Sequence, residues 1–388
     1  MLSLAAGFTD NSTLPVLATR SAMEDLAAQS GDPEYLQYGT NQGRSGLRRL
    51  LAEALVKKEA NLEIEAVAQN LLITNGSQQA LYLAMQVLCD PGDIVLVDRP
   101  SYFVFLEMLT GLGVQARSMP IDKNGRIDGA ALKEMLVEMS ANGDIKRLKA
   151  LYFVSYFSNP SSRSLTEEEK NTIADVLTAQ GLCLPVIEDG AYRELYFREA
   201  CPAASVLSLS SWSAFPKLYL ETLTKPFATG LKVGYGYCSD RIWLEKMLHV
   251  KGCHDFGTAN LNQAIFERVL SNGGYVGQLA KIRPHYERKM RCLNDALVTE
   301  GLPQLGWRWS IPTGGLYLWL EAPSALDTAT DSAFCHACIR EGVLYVPGDL
   351  CFGDNAPRNF VRLSFGVLNE TDLVEAARRF VTVARRLG

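Results

Sequence analysis

Short apolar runs alternate with helix-like stretches along the first two-thirds of the chain. Leu71-Leu72-Ile73-Thr74, Ile94-Val95-Leu96-Val97, Leu151-Tyr152-Phe153-Val154, the run from Leu184 to Asp189, Lys217-Leu218-Tyr219-Leu220 and the run from Val233 to Cys238 read as buried strands. Between them, apolar residues recur at helical spacing from Leu47 to Val56 and from Gln78 to Leu88. Ser164-Leu165-Thr166-Glu167-Glu168-Glu169 offers a helix start with acidic residues in its first turn. Strands alternating with helices predict a mostly parallel sheet covered on both faces. From about residue 240 the pattern turns helical, and 274–300 reads as one long helix broken only at Pro284. Strand-like segments at Gly315 to Leu320, Gly342 to Val346 and Phe360 to Phe365, then an amphipathic helix from Glu370, predict a second, α+β unit. At the start of the chain, Gly7 to Pro15 is turn-rich, and Val16 to Ser30 has helical periodicity that Gly31-Asp32-Pro33 breaks. The expected organisation is an arm over 1–40, a large domain over 41–275 and a small domain over 276–388.

Composition narrows the class. With 388 residues, 47% hydrophobic and 21% charged, the chain has the make-up of a globular protein of more than one domain. A net charge of -5 and the lack of a basic cluster interleaved with aromatics argue against nucleic acid as a partner. No apolar run reaches the roughly 18 residues of a membrane span, and Met1-Leu2-Ser3-Leu4-Ala5-Ala6-Gly7 lacks a signal peptide's basic and apolar regions. A cytoplasmic location is expected, with nine cysteines kept as thiols.

Two stretches carry chemistry. In Thr74-Asn75-Gly76-Ser77-Gln78 a strand passes through a glycine turn into a helix, which aims free N–H groups and a positive dipole end at an anion. Thr222-Leu223-Thr224-Lys225 sets a lysine among hydroxyls, and Lys232 adds a second cation seven residues on. An amine, phosphate donors and a compensating charge are what a phosphorylated aldehyde cofactor needs, and Lys225 is read as the pyridoxal-phosphate lysine. Other signals carry less. Gly111-Leu112-Gly113-Val114-Gln115-Ala116 fits a loose dinucleotide fingerprint but lies between a helix and a strand, the reverse of the required order. Cys335, His336 and Cys338 do not complete a tetrahedral metal set.

The lysine stretch, with Gly230-Leu231-Lys232-Val233-Gly234-Tyr235 after it, resembles the signature of fold-type I, class I/II aminotransferases. The resemblance runs from the arm to Val361-Arg362-Leu363-Ser364-Phe365 and is nearest the kynurenine/2-aminoadipate aminotransferase branch. It implies that Gly76, Ser77, Gln78, Thr222, Thr224 and Lys232 hold the phosphate and that Tyr102 stacks on the cofactor ring. Asp189 would face the ring nitrogen, Asn159 and Tyr192 the phenolic oxygen, and Arg362 with Asn159 the substrate carboxylate. Tyr38 would reach into the neighbouring subunit's site in a homodimer. The sequence departs from the family at Thr222 and Thr224, where serines are usual, at Thr229 and Lys232, where proline and arginine are usual, and at Ser161-Ser162, where Thr-Gly is usual.

The reaction implied is transfer of an amino group between an α-amino acid and a 2-keto acid through a Schiff base on Lys225. A β-lyase, decarboxylase or oxidase of the same fold is the alternative suggested by the departures. A ligand sensor that keeps the pocket is the second alternative.

Overall fold

In the computed structural model, which describes residues 1–28 and 33–388, the first two-thirds of the chain is built on one twisted sheet. A two-residue strand, β1 (Leu2–Ser3), and α1 (Val16–Ala28) precede α2 (Ser45–Val56) and α3 (Ile64–Asn70). Then come β2 (Leu71–Asn75), α4 (Gly76–Leu88), β3 (Ile94–Val97), α5 (Phe103–Gly111), β4 (Gln115–Ser118), α6 (Gly129–Asn142), β5 (Leu148–Val154), α7 (Glu167–Ala179) and β6 (Val186–Asp189). The antiparallel pair β7 (Lys217–Thr222) and β8 (Val233–Cys238) follows, then the helices α8 (Arg241–His254), α9 (Asn260–Ser271) and α10 (Gly274–Thr299). The helix expected over Val16 to Ser30 is described as far as Ala28; its last two residues and the break at Gly31-Asp32 lie outside the described residues.

The strand order is β2-β8-β7-β6-β5-β3-β4, and only β8 runs antiparallel to its neighbours. Strand periodicity of two explains the layering. Val95, Val97, Tyr152, Val154 and Leu220 pack with α4, α5 and α8 on one face. Ile94, Leu96, Leu151 and Phe153 pack with α6 and α7 on the other. The α7 start is the one expected: Thr166 caps it and Glu169 reaches back, a capping box that satisfies two otherwise orphaned N–H groups.

The last third contains β9 (Arg308–Trp309), β10 (Tyr317–Glu321), α11 (Ala333–Arg340), β11 (Val343–Leu344), β12 (Val346–Pro347), β13 (Phe360–Ser364) and α12 (Glu370–Leu387). Its four-stranded sheet has the order β12-β13-β10-β9, while β1 pairs with β11. The chain's first residues are therefore tied to its last third: Leu4 accepts from the Ser364 N–H, and Asp10 pairs with the buried Lys289 at 2.7 Å.

Two expectations need correction. Pro284 does not break α10, which runs on through it; Leu279 and Ile282 before the proline and Tyr286 and Met290 after it are buried in one core and hold both halves in line. The turn at Gly76 is already the first residue of α4, so strand passes to helix with no intervening loop. The run Gly111 to Ala116 leaves α5 and enters β4, opposite to a dinucleotide turn. No helix among the described residues is long and apolar enough to cross a membrane.

Candidate active site

The carboxyl ends of β2, β5, β6 and β7 converge, and the cavity they border holds about 200 Å³. Its lining includes Gly76, Ser77, Gln78, Tyr102, Asn159, Asp189, Tyr192, Thr222, Thr224, Lys225 and Lys232. A larger cavity of about 630 Å³ lies beside the edge strand β4 and residues 352–355, but none of the residues with expected chemistry lines it.

At one end of the smaller cavity the α4 N-terminus has no side-chain cap: the carboxamide of its cap residue, Asn75, donates to Asp255 at 2.9 Å, and Gln79 accepts from the Asn75 N–H at 2.8 Å. The first N–H groups of α4 are thus left to a ligand. Gly76 takes φ +68, which a residue with a Cβ rarely adopts. On the facing strand a Cβ at Gly234 would lie 2.5 Å from the Gly76 carbonyl carbon and 2.6 Å from the Ser77 nitrogen, so only glycine lets β8 pass this close. The Thr222 and Thr224 hydroxyls are 2.7 Å apart and face the same end. Lys232, exposed and at φ +56, closes a tight turn from Thr229 to Leu231 at its rim. Uncapped N–H groups, two hydroxyls and a cation form a donor set that fits a phosphate.

Lys225 is half-buried, its Nζ 5.1 Å from the centre of the Tyr192 ring. Asp189, the last residue of β6, accepts from Tyr152 at 3.2 Å and from the Ala191 N–H at 2.8 Å. Burial raises its pKa, an effect that those two bonds and the nearby Lys225 oppose. Glu188 points to the other side of the sheet, as strand alternation requires, and pairs there with Lys170, both fully buried. The Tyr102 hydroxyl donates to Gln78 at 3.2 Å, and burial raises its pKa.

Arg362 is central in its sheet and 2% exposed, not at a surface edge. Its guanidinium donates to Asn159 at 2.6 Å and to the Ala5 carbonyl at 2.5 Å, while the buried Nε has no partner among the described residues. An unpaired buried donor is costly, and a planar fork with spare N–H groups suits a carboxylate. Arg362 does not line the cavity itself; it joins it through Asn159. Tyr38 is not brought to this cavity. It is 79% exposed and meets Phe256 edge-on.

The departures have local consequences. Ser162 takes φ +52 and donates to the Tyr317 carbonyl at 2.8 Å, whereas Ser161 bonds to the Ser158 hydroxyl at 2.7 Å. Sequence reasoning missed Tyr152, Tyr317, Ala5 and Asp98. The first two read as core aromatics, Ala5 acts only through its carbonyl, and Asp98 follows a strand without a motif around it.

Comparison with known proteins gives the same picture. The family model "Aminotransferase class I and II" matches residues 1–380. Aromatic-amino-acid aminotransferase 1 of Thermococcus litoralis is 28% identical over 98% of this chain and 87% of its own length. The 2-aminoadipate transaminase of Thermus thermophilus is 29% identical over 98% of this chain and 89% of its own. The structure of Pyrococcus horikoshii kynurenine aminotransferase in complex with PMP matches with a TM-score of 0.87 and 27% identity, covering 100% of this chain and 91% of that one. The full-length match in sequence and fold, on a cavity whose donors suit a phosphate, makes the chain a member of the class I and II aminotransferases, a pyridoxal-phosphate enzyme of fold type I that moves an amino group between an amino acid and a 2-keto acid.

Proposed function

We propose that Lys225 carries the cofactor and then moves the proton of the reaction. When bound, pyridoxal phosphate supplies the aldehyde that takes up the amino group and a ring that draws electrons from the substrate's Cα. Gly76, Ser77, Gln78, Thr222, Thr224 and Lys232 would hold its phosphate, and Tyr102 its ring face. Asp189 would face the ring nitrogen; its two existing bonds leave acceptor sites on a carboxylate that has about four. Asn159 and Tyr192 would donate to the phenolic oxygen. Arg362, steadied by Asn159, binds the substrate's carboxylate through its remaining N–H groups. Lys225 Nζ takes the proton from the substrate's Cα inside the same cavity, where being held makes the transfer effectively intramolecular.

The observation that carries this reading is that residues spread from Gly76 to Lys232 in sequence line one cavity. We read the protein as a cytoplasmic homodimer in which Tyr38 completes the partner's site, with an arm over 1–40, a large domain over 41–275 and a small domain over 276–388. The exposure of Tyr38 supports that role.

The test mixes loaded enzyme with a panel of amino acids and no keto acid. One equivalent of 2-keto acid should form, leaving the cofactor as pyridoxamine phosphate. Lys225→Ala should lower turnover by about a thousandfold or more. Wild-type turnover in that variant would remove Lys225 from the reaction, and product released with pyridoxal phosphate regenerated would favour a lyase, decarboxylase or oxidase.

A further inference from the structure

Tyr317 opens β10 and is 1% exposed, yet its hydroxyl lies 2.9 Å from the hydroxyl of Tyr192. The two rings meet at 66° with centroids 5.8 Å apart. The sheet register pairs Trp319 with Arg362, so Tyr317, two residues earlier, lies diagonally beside Arg362 on the same face. The guanidinium carbon is 4.3 Å from the centre of the Tyr317 ring, close enough for a cation–π contact. Two further contacts fix the residue. Ser162 donates to its carbonyl at 2.8 Å, and a Cβ at Gly7 would lie 2.7 Å from its hydroxyl oxygen, so the N-terminal segment closes over it.

We propose that Tyr317 is a positioning residue that joins the two halves of the site: its hydroxyl donates to Tyr192, and its ring seats Arg362. This rests on the roles given above to Tyr192 and Arg362. With Tyr317 as donor, the hydrogen of Tyr192 is left to point into the cavity at the cofactor's phenolic oxygen. The ring meanwhile fixes the guanidinium plane in which a substrate carboxylate is gripped. One side chain on the small sheet thus aligns a cofactor contact from the segment after β6 with a substrate contact on β13.

The hydroxyl is tested by titrating the visible absorbance of the loaded wild type, Tyr317→Phe, Tyr192→Phe and the double variant against pH. Tyr192→Phe should raise the midpoint. Tyr317→Phe should raise it by about half a unit, in keeping with one lost hydrogen bond. The double variant should match Tyr192→Phe, because Tyr317 acts through Tyr192. An unmoved midpoint in Tyr317→Phe, or additive shifts, overturns the proposal alone. No shift in Tyr192→Phe overturns it together with the role of Tyr192.

The ring is tested by KM for the amino donor. Tyr317→Phe should keep it within about twofold, whereas Tyr317→Leu should raise it about tenfold with a smaller change in kcat. Equal KM values in the two variants would remove the ring from the grip on Arg362.

Discussion

Asp98 illustrates what burial does to a single carboxyl near the site. It follows β3, accepts from the Val154 N–H at 2.9 Å, and burial raises its pKa to about 7, with the nearby Asp189 charge adding to the rise. An acid raised in the folded state binds more protons than it does unfolded, so its contribution to stability falls as pH rises from about 4 to about 7 and then levels off. Asp98→Asn should therefore stabilise the protein at pH 8, by on the order of 2 kcal/mol, and less at pH 5. Denaturant unfolding at the two pH values checks this, and an equal difference at both would remove the ionisation from the account. Arg362 makes the complementary point. It is buried, and its Nε has no partner among the described residues, so the carboxylate we propose it binds would supply an acceptor the fold itself leaves out.

At the scale of elements, the approach of β8 to the α4 N-terminus shapes the end of the cavity proposed to hold the phosphate. Gly234 leaves no room for a methyl group there, since the atoms it would meet are backbone and cannot rotate away. Gly234→Ala should displace the first turn of α4 and weaken cofactor retention by more than about tenfold, with the rest of the fold intact. Equilibrium dialysis of the cofactor, with far-ultraviolet circular dichroism as the control for folding, measures it. Wild-type retention would mean that the first turn of α4 does not bind the phosphate. The Lys170–Glu188 pair plays a quieter part: fully buried, with Tyr156 and the Ala204 carbonyl around the ammonium, it anchors α7 to β6 just before Asp189.

For the whole molecule the test concerns the proposal that two subunits share each site through Tyr38. Lys225→Ala and Tyr38→Ala chains should each be nearly inactive alone. If Tyr38 serves its partner, a mixed dimer has one site with both defects and one with neither, so equal mixing restores about a quarter of wild-type activity. Absence of recovery in dimers shown to contain both chains would place Tyr38 in its own subunit's site or in neither. If the proposed homodimer forms, the assembled mass measured by light scattering should be twice 42.7 kDa, and a single-chain mass would overturn it.

Much of this was legible in the chain because it depends on local order. The alternation of apolar runs dictates a doubly covered sheet, and strand ends are where Asp189, Thr222 and the Gly76 turn had to lie, since backbone periodicity is a local property. The lysine stretch stood out by its hydroxyl neighbours and second cation, and the role proposed for the arginine of β13 came only with the resemblance to the aminotransferase family. Tertiary structure decided the rest. It carried α10 through Pro284 by packing on both sides, and it turned the Ala5 carbonyl and the Tyr317 hydroxyl toward partners 357 and 125 residues away. It also raised the Asp98 pKa to about 7 by burying it. Contacts between segments far apart in sequence, and the loss of water around a charge, exist only once the chain has closed on itself, and no pattern of neighbours along the sequence encodes them individually.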